Sequence, residues 1–220
     1  MYKGIIFDFN GTLLWDTEFH NRAWDIFLKR YHVHLHDDEK QLRLHGKNNA
    51  QLIADLFPQH ISREESLEIA REKERYYQRL VVSEGLRLAE GTTELFDRLK
   101  LLGCAFNIVT ASDAINVDFY FNHYSLGKWF SRDQVVYSDG KIRPKPHPDM
   151  FLEAMERMKI VPQETIIFED SDTGLLAAQK SGAGKIIIVN STNRSYEDWP
   201  YDIIRSFHEI GAEELIQGIR

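Results

Sequence analysis

Four short stretches of the chain carry side chains that could do chemistry together. The first is Asp8-Phe-Asn-Gly-Thr-Leu13, an aspartate at the end of an apolar run followed by a turn. A carboxylate placed there can act as nucleophile or metal ligand, and the glycine lets backbone amides approach an anion closely. A plain Asn-Gly turn has the same letters. The second is Val109-Thr110-Ala111-Ser112, which offers a hydroxyl and backbone amides to an anionic oxygen. The third is Arg143-Pro-Lys-Pro-His-Pro148, where prolines on both sides of Lys145 restrict the backbone around it. A proline-rich loop with an incidental lysine reads the same way. The fourth, Phe168-Glu-Asp-Ser-Asp-Thr-Gly174, sets Glu169 beside Asp170. Adjacent carboxylates suit Mg²⁺, a hard cation that prefers oxygen; they also suit the acidic first turn of a helix.

Each stretch needs an element to position it. Gly4 to Phe9, Ala105 to Val109, Val135 to Tyr137, Thr165 to Phe168 and Lys185 to Val189 are short runs rich in Ile, Val and Phe without clear alternation. That is the pattern of strands covered on both faces in a parallel sheet. Helical patterns lie between them. Gly91 opens one that carries Leu95, Phe96, Leu99 and Leu102 and stops at Gly103; Pro148 opens another with Phe151, Ala154, Met155 and Met158; Leu175 to Ala178 begins a third, which ends at Gly182. The alternation predicts an α/β fold with a doubly wound parallel sheet.

Residues 16–86 break that rhythm. They show helical patterns and no convincing strand. One helix is expected to start near Asp16 or Thr17 and to carry Phe19, Ala23, Trp24, Phe27 and Leu28. Another starts at Ser62, whose Glu65 three residues on makes a capping box, and carries Ile69, Tyr76, Tyr77 and Leu80. The expected organisation is therefore an α/β core from residues 1–15 and 87–220, interrupted by an all-helical insertion at 16–86. Loops at the carboxyl ends of parallel strands are where such sheets bind ligands, so the insertion would act as a lid.

Composition narrows the classes. The 220 residues are 43% hydrophobic and 28% charged, which reads as globular. The longest apolar runs are four residues, such as Ile186 to Val189, against about 20 for a membrane-spanning helix. A net charge of −7 argues against nucleic acid as a partner. The single cysteine, Cys104, forbids an internal disulfide, and the apolar start is broken by Asp8 rather than continuing as a signal peptide. The expectation is a cytoplasmic monomer.

Together and in this order, the four stretches resemble the haloacid dehalogenase-like superfamily, whose pattern is Asp-x-Asp-Gly-Thr, a Ser or Thr after the second strand, a Lys, then an acidic pair followed by a small residue and Gly. The helical insertion falls where one type of cap in that superfamily falls. Within it, the chain is most similar to the beta-phosphoglucomutase-like phosphatases and mutases: Asp16-Thr-Glu-Phe-His-Asn-Arg-Ala-Trp24 resembles the first cap helix, and Leu44-His-Gly-Lys-Asn48 the cap loop that contacts substrate. The resemblance implies a HAD-like Rossmannoid core and Mg²⁺-dependent hydrolysis of a small phosphorylated metabolite. Asp8 would attack phosphorus and become an aspartyl-phosphate. Mg²⁺ would be held by the Asp8 carboxylate, the Asn10 backbone carbonyl and Asp170, with Glu169 adjacent and able to act through a water. Thr110, the Ala111 amide and Lys145 would hold the phosphoryl group. His20, Gly46 and Lys47 would contact the substrate. Lys73 falls near a substrate-contacting lysine of the mutases, although its spacing also fits a solvated helix face.

One position departs from the pattern. Where the superfamily has a second Asp that gives and takes a proton, this chain has Asn10. An amide can hydrogen-bond but cannot transfer that proton at neutral pH, and general acid–base catalysis is worth about 10²–10⁴-fold. The alternatives are a slowed phosphatase, a phosphomutase whose phospho-enzyme outlives reorientation of its intermediate, or a catalytically weak member that binds a phosphorylated ligand or partner. His20, on the first turn of the cap helix beside Trp24, is the candidate replacement donor, though shaping the substrate pocket is the plainer role. His32, His34 and His36 alternate and would share one face if extended, but a solvated loop is the expectation there. Cys104 reads as a small core residue.

Overall fold

A computed structural model describes residues 1–36, 53, 56–57 and 62–217 of the chain. The chain divides into two compact units, Met1–Trp15 with Arg87–Arg220, and Asp16–Leu86.

The first unit is built on five parallel strands: β1 (Gly4–Phe7), β2 (Ala105–Ile108), β3 (Thr165–Glu169), β4 (Lys185–Val189) and β5 (Asp202–Ile204). Their order across the sheet is β2-β1-β3-β4-β5. All four residues of β1 and all five of β3 are buried. This is why both read as continuous apolar runs with no alternation. Because the chain steps from β1 to one side for β2 and to the other for β3, a crevice opens at the carboxyl end of β1. The register makes that end functional. Phe7 pairs with Ile108 on one side and with Phe168 on the other, so Asp8, Val109 and Glu169 come to the same level. Phe7 and Phe168 stack at 4.9 Å directly beneath, anchoring the two central strands against each other.

The helices of this unit are α3 (Thr92–Leu101), α4 (Ala114–His123), α5 (Asp149–Met158), α6 (Asp172–Ser181) and α7 (Ala212–Gln217), numbered after α1 (Thr17–Arg30) and α2 (Arg63–Glu84) of the second unit. Met150, Phe151, Ala154 and Met155 of α5 and Leu175, Ala177 and Ala178 of α6 pack with Ile6, Ile167 and Ile188 of the sheet in one apolar cluster. Ser171 caps α6, its hydroxyl accepting from the Gly174 amide at 3.1 Å, and Gly182 ends it in the left-handed region.

Three elements differ from the sequence expectation. Residues 135–137 do not extend the sheet as a strand: Val136 makes a single parallel bridge to Val109, and by Ser138 the backbone has turned to bond Ser112. A three-residue run followed at once by the Asp139-Gly140 turn is too short to form a ladder. The fifth strand is instead Asp202–Ile204, whose first two residues are exposed and give no apolar run to read. Helix α4 has no counterpart among the expected helices. Its aromatic and asparagine residues show no clear stripe, and it is started by Asp113, whose carboxylate accepts from the Asn116 amide at 3.0 Å.

The second unit contains α1 (Thr17–Arg30) and α2 (Arg63–Glu84). Both halves of the capping box at the start of α2 are present, Ser62 Oγ accepting from the Glu65 amide at 3.1 Å and Glu65 Oε2 from the Ser62 amide at 2.8 Å. Trp24, Phe27 and Leu28 of α1 bury against Ile53 and Ala70, with Tyr31, Phe57 and Tyr76 around them. Among the described residues, no helix is long and apolar enough to cross a membrane.

Candidate functional site

Four ionisable side chains from three separate stretches meet at the carboxyl end of β1 and β3. Lys145 Nζ lies 2.5 Å from Asp8 Oδ1 and 2.6 Å from Glu169 Oε1. All three residues are buried. The other Glu169 oxygen accepts from the amides of Asp170 and Ser171, both at 2.8 Å, and from Ser171 Oγ at 3.1 Å. Asp170 Oδ1 accepts from Thr12 Oγ1 at 3.2 Å. Two glycines make room for these carboxylates. A Cβ at Gly174 would overlap the carboxylate of Glu169, and one at Gly11, which sits at φ +83°, would overlap that of Asp170.

The charges do not balance. Three carboxylates face one ammonium in a space with little water. Burial pushes the Asp8 carboxyl up from 3.8 to about 7; Lys145 opposes that rise and Glu169 adds to it. Asp170 is raised well above its ordinary value by burial and by the negative charge of Glu169 and Asp8. Burial works against the Lys145 cation, but Asp8 and Glu169 outweigh it and hold its pKa above that of an ordinary lysine. Asp8 Oδ2 is buried with no hydrogen-bond partner. One oxygen each from Asp8, Glu169 and Asp170 lies within 4.8 Å of the others. An excess of buried negative charge, an orphaned carboxylate oxygen and an all-oxygen donor set fit a hard divalent cation such as Mg²⁺.

Beside this cluster, Asn10 sits in a neutral network. Its Oδ1 accepts from Thr110 Oγ1 at 3.1 Å and from Ser112 Oγ at 2.8 Å, and its Nδ2 donates to Tyr120 Oη at 2.8 Å. The Tyr120 ring stacks on Phe9 at 4.2 Å, which fixes the phenol. Thr110 is buried and reaches this position because Val109 bonds to Phe7 O at 2.9 Å, continuing the β1–β2 register one residue past the strands. Ala111 is exposed at the same edge.

Asp8, Lys145, Glu169 and Asp170 are thus brought together, and Asn10 with Thr110 lies next in the same unit. His20 belongs to the second unit. It stacks on Tyr77 with ring centroids 3.9 Å apart, its Nδ1 lies 3.0 Å from Lys73 Nζ, and its Nε2 lies 3.4 Å from Asp16 Oδ2. Lys73 is not on a solvated face: it is 1% exposed, pairs with Glu74 at 2.9 Å and lies over the ring of Trp24. A charged residue in a helix gives no sign by itself that it points inward. Gly46 and Lys47 lie outside the described residues. His32, His34 and His36 are exposed, while the alternating Val33 and Leu35 pack on the helical core. Cys104 is half-buried, and burial pushes its thiol up to about 11.

Sequence reasoning passed over Thr12, Ser112 and Tyr120. The first two stand inside stretches it singled out, and only their contacts give them a part. Tyr120 carries no signal at all, because 110 residues separate it from Asn10.

Residues 5–188 match the haloacid dehalogenase-like hydrolase family, and the chain belongs to it. It is 29% identical to the fructose-1-phosphate phosphatase YqaB of Escherichia coli over 82% of this chain and 93% of that protein. It is 27% identical to a phosphorylated carbohydrates phosphatase of Thermotoga maritima over 87% of each. The crystal structure of a HAD hydrolase, family IA, variant 3, from Entamoeba histolytica superposes with a TM-score of 0.86 at 33% identity, covering 99% of this chain and 98% of that one.

Proposed function

We propose that this chain is a Mg²⁺-dependent phosphatase of small phosphorylated metabolites, sugar phosphates first among them, working through an aspartyl-phosphate on Asp8. The observation that carries the reading is the Lys145 ammonium wedged between the Asp8 and Glu169 carboxylates, with Asp170 beside them. The phosphatase relatives that act on fructose 1-phosphate and on phosphorylated carbohydrates support the substrate class.

Asp8, the Asn10 backbone carbonyl and Asp170 would hold the cation, with Glu169 behind them through a water. Bound Mg²⁺ would neutralise charge on the transferring group and keep Asp8 ionised. Asp8 supplies the nucleophilic oxygen; attack breaks the bond from phosphorus to the ester oxygen, which leaves taking a proton from solvent, and water then cleaves the aspartyl-phosphate to free phosphate and the Asp8 carboxylate. Lys145, the Thr110 hydroxyl and the Ala111 amide bind the phosphoryl oxygens and fix their direction. Glu169 orients Lys145 and is itself held by two amides and a hydroxyl. The helical unit would act as the cap, with His20, Gly46 and Lys47 contacting the rest of the substrate.

Asn10 favours a second reading of the same site. Its amide cannot protonate the leaving oxygen or activate water, so phosphorylated Asp8 would persist. A long-lived phospho-enzyme suits a phosphomutase, or a weak enzyme that holds a phosphorylated ligand or partner. A phosphate-release screen over sugar phosphates, nucleotides and small phosphorylated acids, with Mg²⁺ and with EDTA, tests the proposal. Mg²⁺-dependent release from a sugar phosphate, slow in the native chain and faster in Asn10→Asp, supports the phosphatase. Phosphate exchange between positions of one sugar without release supports the mutase, and no turnover with tight binding supports the weak enzyme that holds a phosphorylated ligand.

A further inference from the structure

The backbone carbonyl of Asp170 is gripped from behind by two side chains of the loop that follows β4. Tyr196 Oη donates to it at 2.6 Å and Arg194 Nη2 at 3.0 Å. The same guanidinium makes a two-pronged pair with Asp172, at 2.7 and 2.9 Å, and lies 4.1 Å over the Tyr196 ring. Trp199 Nε1 donates to Asp172 at 2.9 Å, and Asn190 Nδ2 donates to the Arg194 carbonyl at 2.9 Å. The loop is therefore tied to the start of α6 and to its own origin at the end of β4. Tyr196 is 5% exposed, so little of the residue faces solvent.

The consequence falls on a single peptide plane. Its carbonyl, that of Asp170, is held by Tyr196 and Arg194, and its amide, that of Ser171, is held by Glu169 Oε2. The amide of Asp170 is bonded to the same carboxylate oxygen. With the backbone fixed on both sides, the only freedom left to Asp170 is its side chain, and Thr12 restrains one of its oxygens. We infer that Tyr196 and Arg194 are positioning residues that hold Asp170 in place to bind the divalent cation. This rests on the reading of Asp170 as a cation ligand. Partners of this kind commonly change metal affinity by about 10–100-fold when removed.

Calorimetric titration of Mg²⁺ into the metal-free full chain tests the inference. Tyr196→Phe removes one donor and keeps the ring, and it is expected to weaken Mg²⁺ binding by about 10-fold, with the unfolding midpoint in EDTA close to that of the parent. Arg194→Lys keeps the charge but loses the planar fork, and it is expected to weaken binding as well. Trp199→Phe removes a donor to Asp172 from the same loop without touching the Asp170 carbonyl, and it is expected to bind Mg²⁺ as the parent does. Equal affinity in the parent and Tyr196→Phe overturns the inference, and so does an equal loss in Trp199→Phe, which would make the effect one of loop packing. A parent that takes up no Mg²⁺ overturns the cation site itself and the inference with it.

Discussion

Gly174 lies directly against the Glu169 carboxylate: the space a Cβ would need at residue 174 is already filled by the carboxylate carbon and oxygens of Glu169. The glycine is buried in the first turn of α6, and Glu169 is fully buried beneath it. Gly174→Ala must therefore push Glu169 away from Lys145. Overpacking of this kind costs about 1–3 kcal/mol, and urea denaturation should show it. Turnover should fall further than stability does, because the displaced carboxylate is the one that aims the ammonium. A variant as stable and as active as the parent would mean that Glu169 has room elsewhere.

Asp8 should make metal-free stability pH-dependent in a definite direction. Its carboxyl lies near 7 in the fold against an ordinary 3.8, chiefly because it is buried. Below 3.8 it is neutral in both folded and unfolded chains. As pH rises toward 7 the unfolded chain ionises first, so stability is lost through that window. In EDTA, the melting temperature of the parent relative to Asp8→Asn should fall between pH 4 and pH 7. Mg²⁺ should raise the parent's midpoint more at pH 7.5 than at pH 5. A difference that stays flat with pH would contradict the burial argument. Asp8→Asn should also abolish turnover.

Asn10→Asp should raise turnover by about 10²–10⁴-fold, the usual worth of a positioned proton donor. The hydroxyls of Thr110, Ser112 and Tyr120 already surround this side chain, and all three can donate to a carboxylate of the same shape. Metal affinity should change little if the contact at this position is the backbone carbonyl. With an aryl phosphate, whose leaving group departs unprotonated, the native chain should accumulate phosphorylated Asp8, visible by intact-protein mass spectrometry. No gain in the variant, together with ordinary rates in the parent, would sink this account of Asn10.

Lys73 and Glu74 form a buried ion pair in the helical unit, both about 1% exposed. Lys73→Met removes the buried ammonium that Glu74 pairs with at 2.9 Å and should destabilise that unit by about 3–5 kcal/mol. Replacing both, Lys73→Met with Glu74→Leu, should recover most of the loss. Chemical denaturation followed by tryptophan fluorescence measures the loss; Trp24, packed against Lys73, is the one tryptophan of residues 16–86 and one of four in the chain. A double variant as unstable as the single would show that the Lys73 contacts to His20 and the rings matter more than the pair.

The linear order of residues was enough to locate β1 to β4 apart from their last residue or two, the capping box at Ser62 and the stretches holding Asp8, Thr110, Lys145 and Glu169-Asp170. Those features are local: an apolar run, a cap three residues wide, a glycine turn, a proline frame. Residues 135–137 do not form the expected strand, and 202–204 form one that no apolar run announces, because so short a strand is decided by its neighbour in the sheet and not by its own letters. The tertiary structure alone decided which atoms meet. Lys145 lies 137 residues from Asp8 and 24 from Glu169, yet one ammonium bonds both, because the parallel register brings the ends of β1 and β3 to one level. The same holds for Tyr120 on Asn10, for Tyr196 on the Asp170 carbonyl, and for the burial of Lys73. Contacts between residues far apart in sequence follow from chain packing, and no local pattern of charge or periodicity encodes them.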